Sequence, residues 1–496
     1  MAKRGAKGIT TTIVAGLAIV MLVVGLLIGA AAFGMARIGF PVETPEELQQ
    51  EIDQLKADVA SLEADIGDLE DTIASKDTTI DDLTTEKELL VDMLVAEALY
   101  IADALGVTFP LTLTGEIELG ALLSLTGDLA TFGENEQVAA MYAAELVNLM
   151  LEELGAQWTM TIVSEDTVTK PAIALEKTES FAARGIELLI GPLSSAEVRA
   201  IKSYCDSNKI LAISQSSTAP DLAIADDYIL RFCPTDKLGQ GPAIARLLYD
   251  EGKRYIIPVT RNDAWGAGLE GATQVRFEEL GGTFLEGILY DPDATEFSVE
   301  AADLDGKVSS ALGTYTPEEV AILHISFEEV NTLMTACFDY PVLDDVKWYG
   351  SDGTATSGAM LADPAVRDFA MSVEYPCTIF GPAPIGTKWH MVRERGLDAL
   401  GREPESYSYA VYDIVWAYAY ALLIVDEYDA EAIKDIIPDI VAPEGFIGAS
   451  GKIDLDMYGD REAGDYDIWQ IVETDGTYDW QIIGSWIMAT DSIVSR

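Results

Sequence analysis

Three stretches of small hydroxyl residues interrupt apolar runs in the first half of the chain: LSLTGDLATFG (123–133), GPLSSAEV (191–198) and SQSSTAPDL (214–222). Each follows a segment that reads as a buried strand and stands at or near a helix start. Phe132 is the lone aromatic of the first loop, and Ser194 and Ser195 stand just before the helix of the second. Hydroxyls beside the free N–H groups of a helix start suit a carboxylate or similar anion. The same residue types also serve as N-caps and turn formers, which is the plain reading of any one loop alone. In the second half, NDAWGAGL, HISFEEV and YGSDGT place Trp265, Phe327 and Asp352 after strands. Hydroxyl donors on one wall, with aromatics and one carboxylate on the other, suit a zwitterion. Its carboxylate would meet the hydroxyls, and its ammonium Asp352 and the aromatic faces. Asp352 alone reads equally well as a turn residue.

Other chemistry is poorly provided for. There are four cysteines and two histidines. Cys205, Cys233, Cys337 and Cys377 show no C-x-x-C spacing, so no metal site is expected. His324 and His390 are far apart and offer no obvious base, and there is no nucleophile elbow or P-loop, so no enzyme activity and no cofactor are expected. An even cysteine count behind an export signal suggests disulfides. Nearest neighbours would pair Cys205 with Cys233 and Cys337 with Cys377, but spacing does not settle the pairing. Net charge is −53, from 84 acidic against 31 basic residues. A phosphate backbone needs a basic footprint, so nucleic acid is excluded as a partner. The charge fits a protein in a saline medium, or simply a solvated acidic face.

The elements that must position these loops begin after a long N-terminal preamble. Residues 1–8 carry Lys3, Arg4 and Lys7, and Ile9 to Phe33 carry no charge. That apolar run is long enough for the ~30 Å hydrocarbon core and longer than a typical signal-peptide core. The expectation is a transmembrane anchor over 9–36, with a cleaved signal as the alternative. The basic residues place residues 1–8 in the cytoplasm and the rest outside. Over 44–105, Leu48, Ile52, Leu55, Val59, Leu62, Ile66, Leu69 and Ile73 alternate at spacings of four and three. This heptad seam, with Ile or Val at a and Leu at d, predicts a coiled-coil stalk and a parallel homodimer. A single amphipathic helix lying against the globular part is the competing reading. Gly106 and Pro110 end the helix.

From Glu116 the pattern alternates strand and helix: IELGALLSL, then NEQVAAMYAAELVNLMLEEL, WTMTIVSED, PAIALEKTESFAARG, IELLIGP, SAEVRAIKSYCDSN and KILAIS. The rhythm restarts at RYIIPVTR (254–261). Repeated β-α of this kind predicts an α/β fold with parallel sheets in two similar units, ligands sitting beyond the strand C-termini. YAVYDIVWAYAYALLIVDEY contains Asp413 and many tyrosines, so it reads as a packed helix rather than a second membrane span.

From about Gly115 to Trp486 the chain resembles the type I periplasmic-binding-protein fold, and more narrowly the leucine/isoleucine/valine-binding proteins. IELGALLSLTGDLATFG, ELLIGPLSSAEV, ILAISQSSTAPDL, YILRFCPTDKLGQGPAIARLL, DAWGAGL, WYGSDGT and GKIDLDMYGDREAGDYDIWQI occur in the family's order. The resemblance implies two lobes, 115–239 with 378–442 and 240–377 with 443–496, closing on a ligand. It implies ligand-carboxylate contacts at Ser194, Ser195, Ser217 and Thr218, an aromatic wall of Phe132, Trp265 and Phe327, and an ammonium contact at Asp352. Family members often carry Glu where Asp352 stands, and the missing methylene would shift that contact. They are also often lipid-held or free, whereas this chain has no N-terminal cysteine to lipidate. Its anchor and stalk are more like an archaeal cell-surface arrangement. The implied function is capture of an amino acid or similar organic ion for an ABC transporter permease. A surface sensor or structural protein that keeps the fold without transport is the alternative.

Overall fold

The computed structural model describes residues 45–382, 387–442, 446–462 and 464–496. The expected cytoplasmic tail and transmembrane anchor lie outside the described residues. The chain divides into two units, Met1–Leu90 and Val91–Arg496. In the first, residues from Pro45 onward form helix, part of one helix Pro45–Ala104. Leu55, Leu62, Leu69, Ile73 and Ile80 on it are all exposed.

In the second unit the apolar runs form two parallel sheets. The first orders its strands Asp460–Arg461, Ile229–Pro234, Leu211–Ser214, Leu188–Ile190, Thr114–Leu123 and Gln157–Asp166. Its register places Leu119 opposite Ile162 and Leu188 opposite Leu211. The second orders Lys347–Tyr349, Val320–Ile325 and Tyr255–Arg261, with Thr283–Phe284 and Ile288–Tyr290 both alongside the last. Strands covered on both faces read as continuous apolar runs, and Val320–Ile325 is buried at every position. An antiparallel sheet, Cys377–Phe380, Tyr466–Thr474, Thr477–Ile487 and Ser492–Ser495, continues the second lobe through a bridge between Gly350 and Cys377.

Helix Ser406–Val425 is, among the described residues, the one long and apolar enough to cross a membrane. It is buried from Ser406 to Leu423 and packs on helix Ala130–Leu154 in the first lobe. Its Asp413 accepts from the N–H groups of Ala449 (2.6 Å) and Ser450 (2.9 Å). That contact and the pairing of Asp460–Arg461 with Ile229–Pro234 hold residues 447–461 to the first lobe. The third crossing therefore falls after Arg461, not at the expected 443, and the second falls after Phe380 rather than before 378. The reason is a buried ion pair: Arg231 donates from Nε and Nη2 to Asp460 at 2.5 and 2.6 Å. All four cysteines are free and buried, which corrects the disulfide expectation. Cys205 packs in the first lobe's core and Cys337 and Cys377 in the second's, and burial pushes these three thiols up to about 12.

Arg231→Met would leave the Asp460 carboxylate buried without its partner, a loss of about 3–5 kcal/mol for such pairs. Urea unfolding of the variant checks this. A midpoint equal to that of the unsubstituted protein would show that the pair does not anchor the crossing.

Candidate functional site

The loops at the strand C-termini meet in a cleft between the lobes. Leu129, Phe132, Leu193, Ser194, Ser195, Ser216 and Tyr407 line it from the first lobe, and Trp265, Phe327, Asp352 and Gly353 from the second. The cavity they enclose is about 20 Å³. Six of the eight residues expected from sequence are brought together here. Ser217 and Thr218 are buried but are not among the lining residues. The Ser217 hydroxyl donates to Ser195 Oγ (3.3 Å), and its carbonyl accepts from Arg231 Nη1 (2.8 Å). Thr218 lies against Asp236. Ser216 takes the lining position, donating to the Leu193 carbonyl at 2.9 Å.

The hydroxyl wall is built by capping. Ser194 caps helix Ser195–Asn208 in a box with Glu197: Ser194 Oγ accepts from the Glu197 N–H (3.3 Å) and donates to Glu197 Oε2 (2.6 Å). The Ser194 hydroxyl is thus spent on the helix, the plain reading given above for such residues. Ser195 Oγ accepts from the Ala219 N–H at 3.1 Å and so ties two loops together. What this wall can offer an anion is mainly the helix's first-turn N–H groups outside the capping box.

Asp352 follows the strand Lys347–Tyr349 and is buried. Tyr407 Oη donates to its Oδ2 at 2.7 Å, and the Gly353 N–H to its Oδ1 at 3.0 Å. Burial pushes its carboxyl up to about 6, against the lowering effect of Tyr407. Asp236 lies near enough to be raised in turn, by burial first and by the Asp352 charge second. A Cβ at Gly353 would stand 2.5 Å from Phe327, so only glycine fits beneath that ring. Gly133 has the same role in the first loop, where a Cβ would meet the Ser124 carbonyl oxygen at 2.1 Å.

Trp265 and Phe327 stack at 4.6 Å with their planes 25° apart. Asp263 caps the helix that carries Trp265, accepting from the Gly266 N–H at 2.9 Å. The Arg261 guanidinium covers the Phe327 ring at 4.2 Å and pairs with Asp263 and Glu329, both at 2.6 Å. On the other wall Phe132 and Tyr407 sit 6.2 Å apart. Sequence reasoning missed Tyr407 because it lies at the start of a helix that reads as uniform core.

The lobes are also joined directly. Thr131 of the first lobe donates to Glu328 Oε1 at 2.7 Å, and the Glu328 N–H donates to the Asp128 carbonyl at 3.0 Å. Lys170 pairs with Asp293 at 2.6 Å, and Arg261 lies 3.8 Å from Asp128. Such contacts exist only when the lobes are closed. His324 takes no part: it is fully buried, both its nitrogens lack partners among the described residues, and burial pushes it down to about 3.

A carboxyl raised on folding binds its proton more tightly in the native state, so its favourable contribution is complete below about 3.8 and is lost as pH rises through about 6. Asp352→Asn removes that penalty. The variant should be the more stable of the two at pH 7.5, by on the order of 1–3 kcal/mol, with the gap narrowing as pH falls through about 6 and closing only near pH 3.8. Denaturant titrations at the two pH values measure it; a gap independent of pH contradicts the assigned burial effect.

Comparison with known proteins agrees with this geometry. The family described as "Receptor family ligand binding region" matches residues 135–474. An uncharacterized protein of Methanocaldococcus jannaschii is 33% identical over 393 residues, covering 76% of this chain and 91% of its own length. A Leu/Ile/Val-binding protein homolog of Brucella melitensis is 25% identical over 392 residues, covering 77% and 97%. Among solved structures, the branched-chain amino acid transporter substrate-binding protein of Streptococcus pneumoniae, in complex with isoleucine, aligns with a TM-score of 0.58 at 17% identity. It covers 74% of this chain and 99% of that one. The chain therefore belongs to the receptor-family ligand-binding regions and has the two-lobed type I periplasmic-binding-protein fold.

Proposed function

We propose that this chain is an extracellular, membrane-anchored binding protein that captures an amino acid between its lobes and delivers it to an ABC transporter permease. The observation that carries the reading is Asp352: a buried carboxylate in a cleft otherwise walled by Leu129, Phe132, Leu193, Trp265 and Phe327. A ligand ammonium fits that carboxylate, a ligand carboxylate fits the start of helix Ser195–Asn208, and an apolar side chain fits the remaining wall. Phe132, Ser194, Ser195, Trp265, Phe327 and Asp352 are the proposed contacts, joined by Ser216 and Tyr407. Ser217 and Thr218 support them from behind. Capture then works by population shift: a ligand touching both lobes favours the closed form, to which the Thr131–Glu328 contact adds.

The anchor is assigned to residues 9–36 and the stalk to 44–105, where exposed Leu55, Leu62, Leu69, Ile73 and Ile80 would be covered by a second copy in a parallel coiled coil. A paired stalk also favours a second reading, a surface sensor whose two clamps act together, since delivery alone needs one clamp.

Leucine, isoleucine and valine should raise the melting temperature of the full-length protein, since a ligand at about 1,000 times its Kd adds roughly 4 kcal/mol. Asp352→Asn should weaken leucine at least about 30-fold, the cost of truncating one side of a buried charge pair. A rise only with non-amino carboxylates would remove the ammonium role from Asp352, and no rise with any ligand would count against both readings and leave a structural surface protein that keeps the fold. Sedimentation of the full-length chain should give a dimer that Leu62→Lys with Leu69→Lys converts to monomer. A monomeric unsubstituted chain would reject the paired stalk.

A further inference from the structure

The N-terminal helix Pro45–Ala104 does not stop at the boundary between the two units: its last turns, from Val91 onward, belong to the second. The heptad spacing runs on through them. Steps of four, three and four residues from Leu90 reach Leu94, Glu97 and Ile101. Leu62 and Leu69 on this stripe are more than half exposed, whereas Leu94 and Ile101 are buried. One stripe of one continuous helix is therefore open to a partner helix along the stalk and committed to packing in the second unit at its end.

Glu97 pairs with Lys388, in the first turn of helix Thr387–Leu400, the helix that follows the second lobe crossing. Both side chains are largely buried, so salt screens the pair little. The Lys388 ammonium lies 4.8 Å from the Phe446 ring centroid, and its charge bears on Asp413. Asp413 Oδ2 accepts from Ser450 Oγ at 2.5 Å, and Ser450 Oγ accepts from Arg461 Nη1 at 2.8 Å. Arg461 is the residue after which the third crossing falls. A buried polar chain thus joins the end of the N-terminal helix to the first-lobe side of two of the three crossings. None of its members lines the amino-acid cleft. The crossings are the covalent links between the lobes, so closing the clamp must turn them.

We propose that this polar chain couples the N-terminal helix to the clamp. Closure of the lobes tightens the hold on residues 91–104, and by linkage the hold on those residues favours closure. The function this adds is transmission: the helix carries toward its N-terminal end whether the clamp is closed, which a sensor needs and delivery alone does not. The Glu97–Lys388 and Asp413–Ser450–Arg461 contacts are all made while the lobes are closed, so weakening either should favour the open form. Coupling to an amino acid rests on the function proposed above, whereas coupling to lobe closure does not.

Pulsed electron-spin distance measurement on the full-length protein, without ligand and diluted with unlabelled copies, tests this. Spin labels at Met141→Cys and Val299→Cys, exposed positions on helices of opposite lobes, report closure, and the four native cysteines are buried. Glu97→Gln should raise the open-to-closed ratio about fivefold or more, as should Ser450→Ala. The double variant should do no more than the stronger single one, since both interrupt one chain. Glu97→Gln keeps the side chain's shape at a partly exposed position, so it should fold even if Ser450→Ala does not. A distance distribution unchanged by Glu97→Gln would overturn the proposal, as would effects of the two substitutions that simply add. Leucine should slow hydrogen exchange over residues 91–104 and bind Glu97→Gln more weakly than the unsubstituted protein. Equal leucine affinity would overturn the coupling and leave capture intact; no leucine binding at all would overturn capture, with the distances still deciding the coupling.

Discussion

A carboxylate removed from water costs several kcal/mol unless something nearby offsets it, and Asp352 is removed from water almost completely. Two donors, the Tyr407 hydroxyl and the Gly353 N–H, reduce that cost without cancelling it, because its carboxyl is still pushed up to about 6. Asp236 nearby gives no relief, since its own carboxyl is pushed up by burial and by the Asp352 charge. The site is therefore short of one positive charge, which the ammonium of the proposed amino-acid ligand would supply. Much of the surrounding architecture serves to hold this carboxylate in place: the strand Lys347–Tyr349 that delivers it, the glycine that lets Phe327 lie over it, and the helix from the other lobe that brings Tyr407.

Because Tyr407 belongs to the first lobe and Asp352 to the second, their hydrogen bond is itself a closure contact. It acts with Thr131–Glu328, Asp128–Glu328 and Lys170–Asp293, all of which span the cleft. Contacts of this kind set how much the closed form is populated before ligand arrives, and a ligand bridging both walls shifts that population further. Arg261 links the two effects. It stacks on Phe327, which lines the cleft, and it lies within reach of Asp128 on the opposite lobe.

The strands were legible as continuous apolar runs, and Ser194 as a residue type that caps helices. Trp265, Phe327 and Asp352 were legible because each follows a strand, where an α/β sheet gathers ligands. Tyr407 was not, since a helix buried on every side hides a functional residue among core residues. The difference between Ser216 and its neighbours Ser217 and Thr218 is a question of loop register, which composition does not encode. The third lobe crossing depends on Arg231 meeting Asp460 across a long stretch of sequence, and no local pattern announces such a pair. The heptad seam was legible from spacing alone, and Leu55, Leu62 and Leu69 on it are exposed.

The central claim is that Asp352 exchanges its proton for the ligand's ammonium. Calorimetry of leucine binding near pH 6, in two buffers of different ionisation enthalpy, counts the protons that move. Release of a substantial fraction of a proton per leucine bound, absent in Asp352→Asn, is the result this account predicts. Leucine binding with no proton release, or with the same release in the variant, would contradict it.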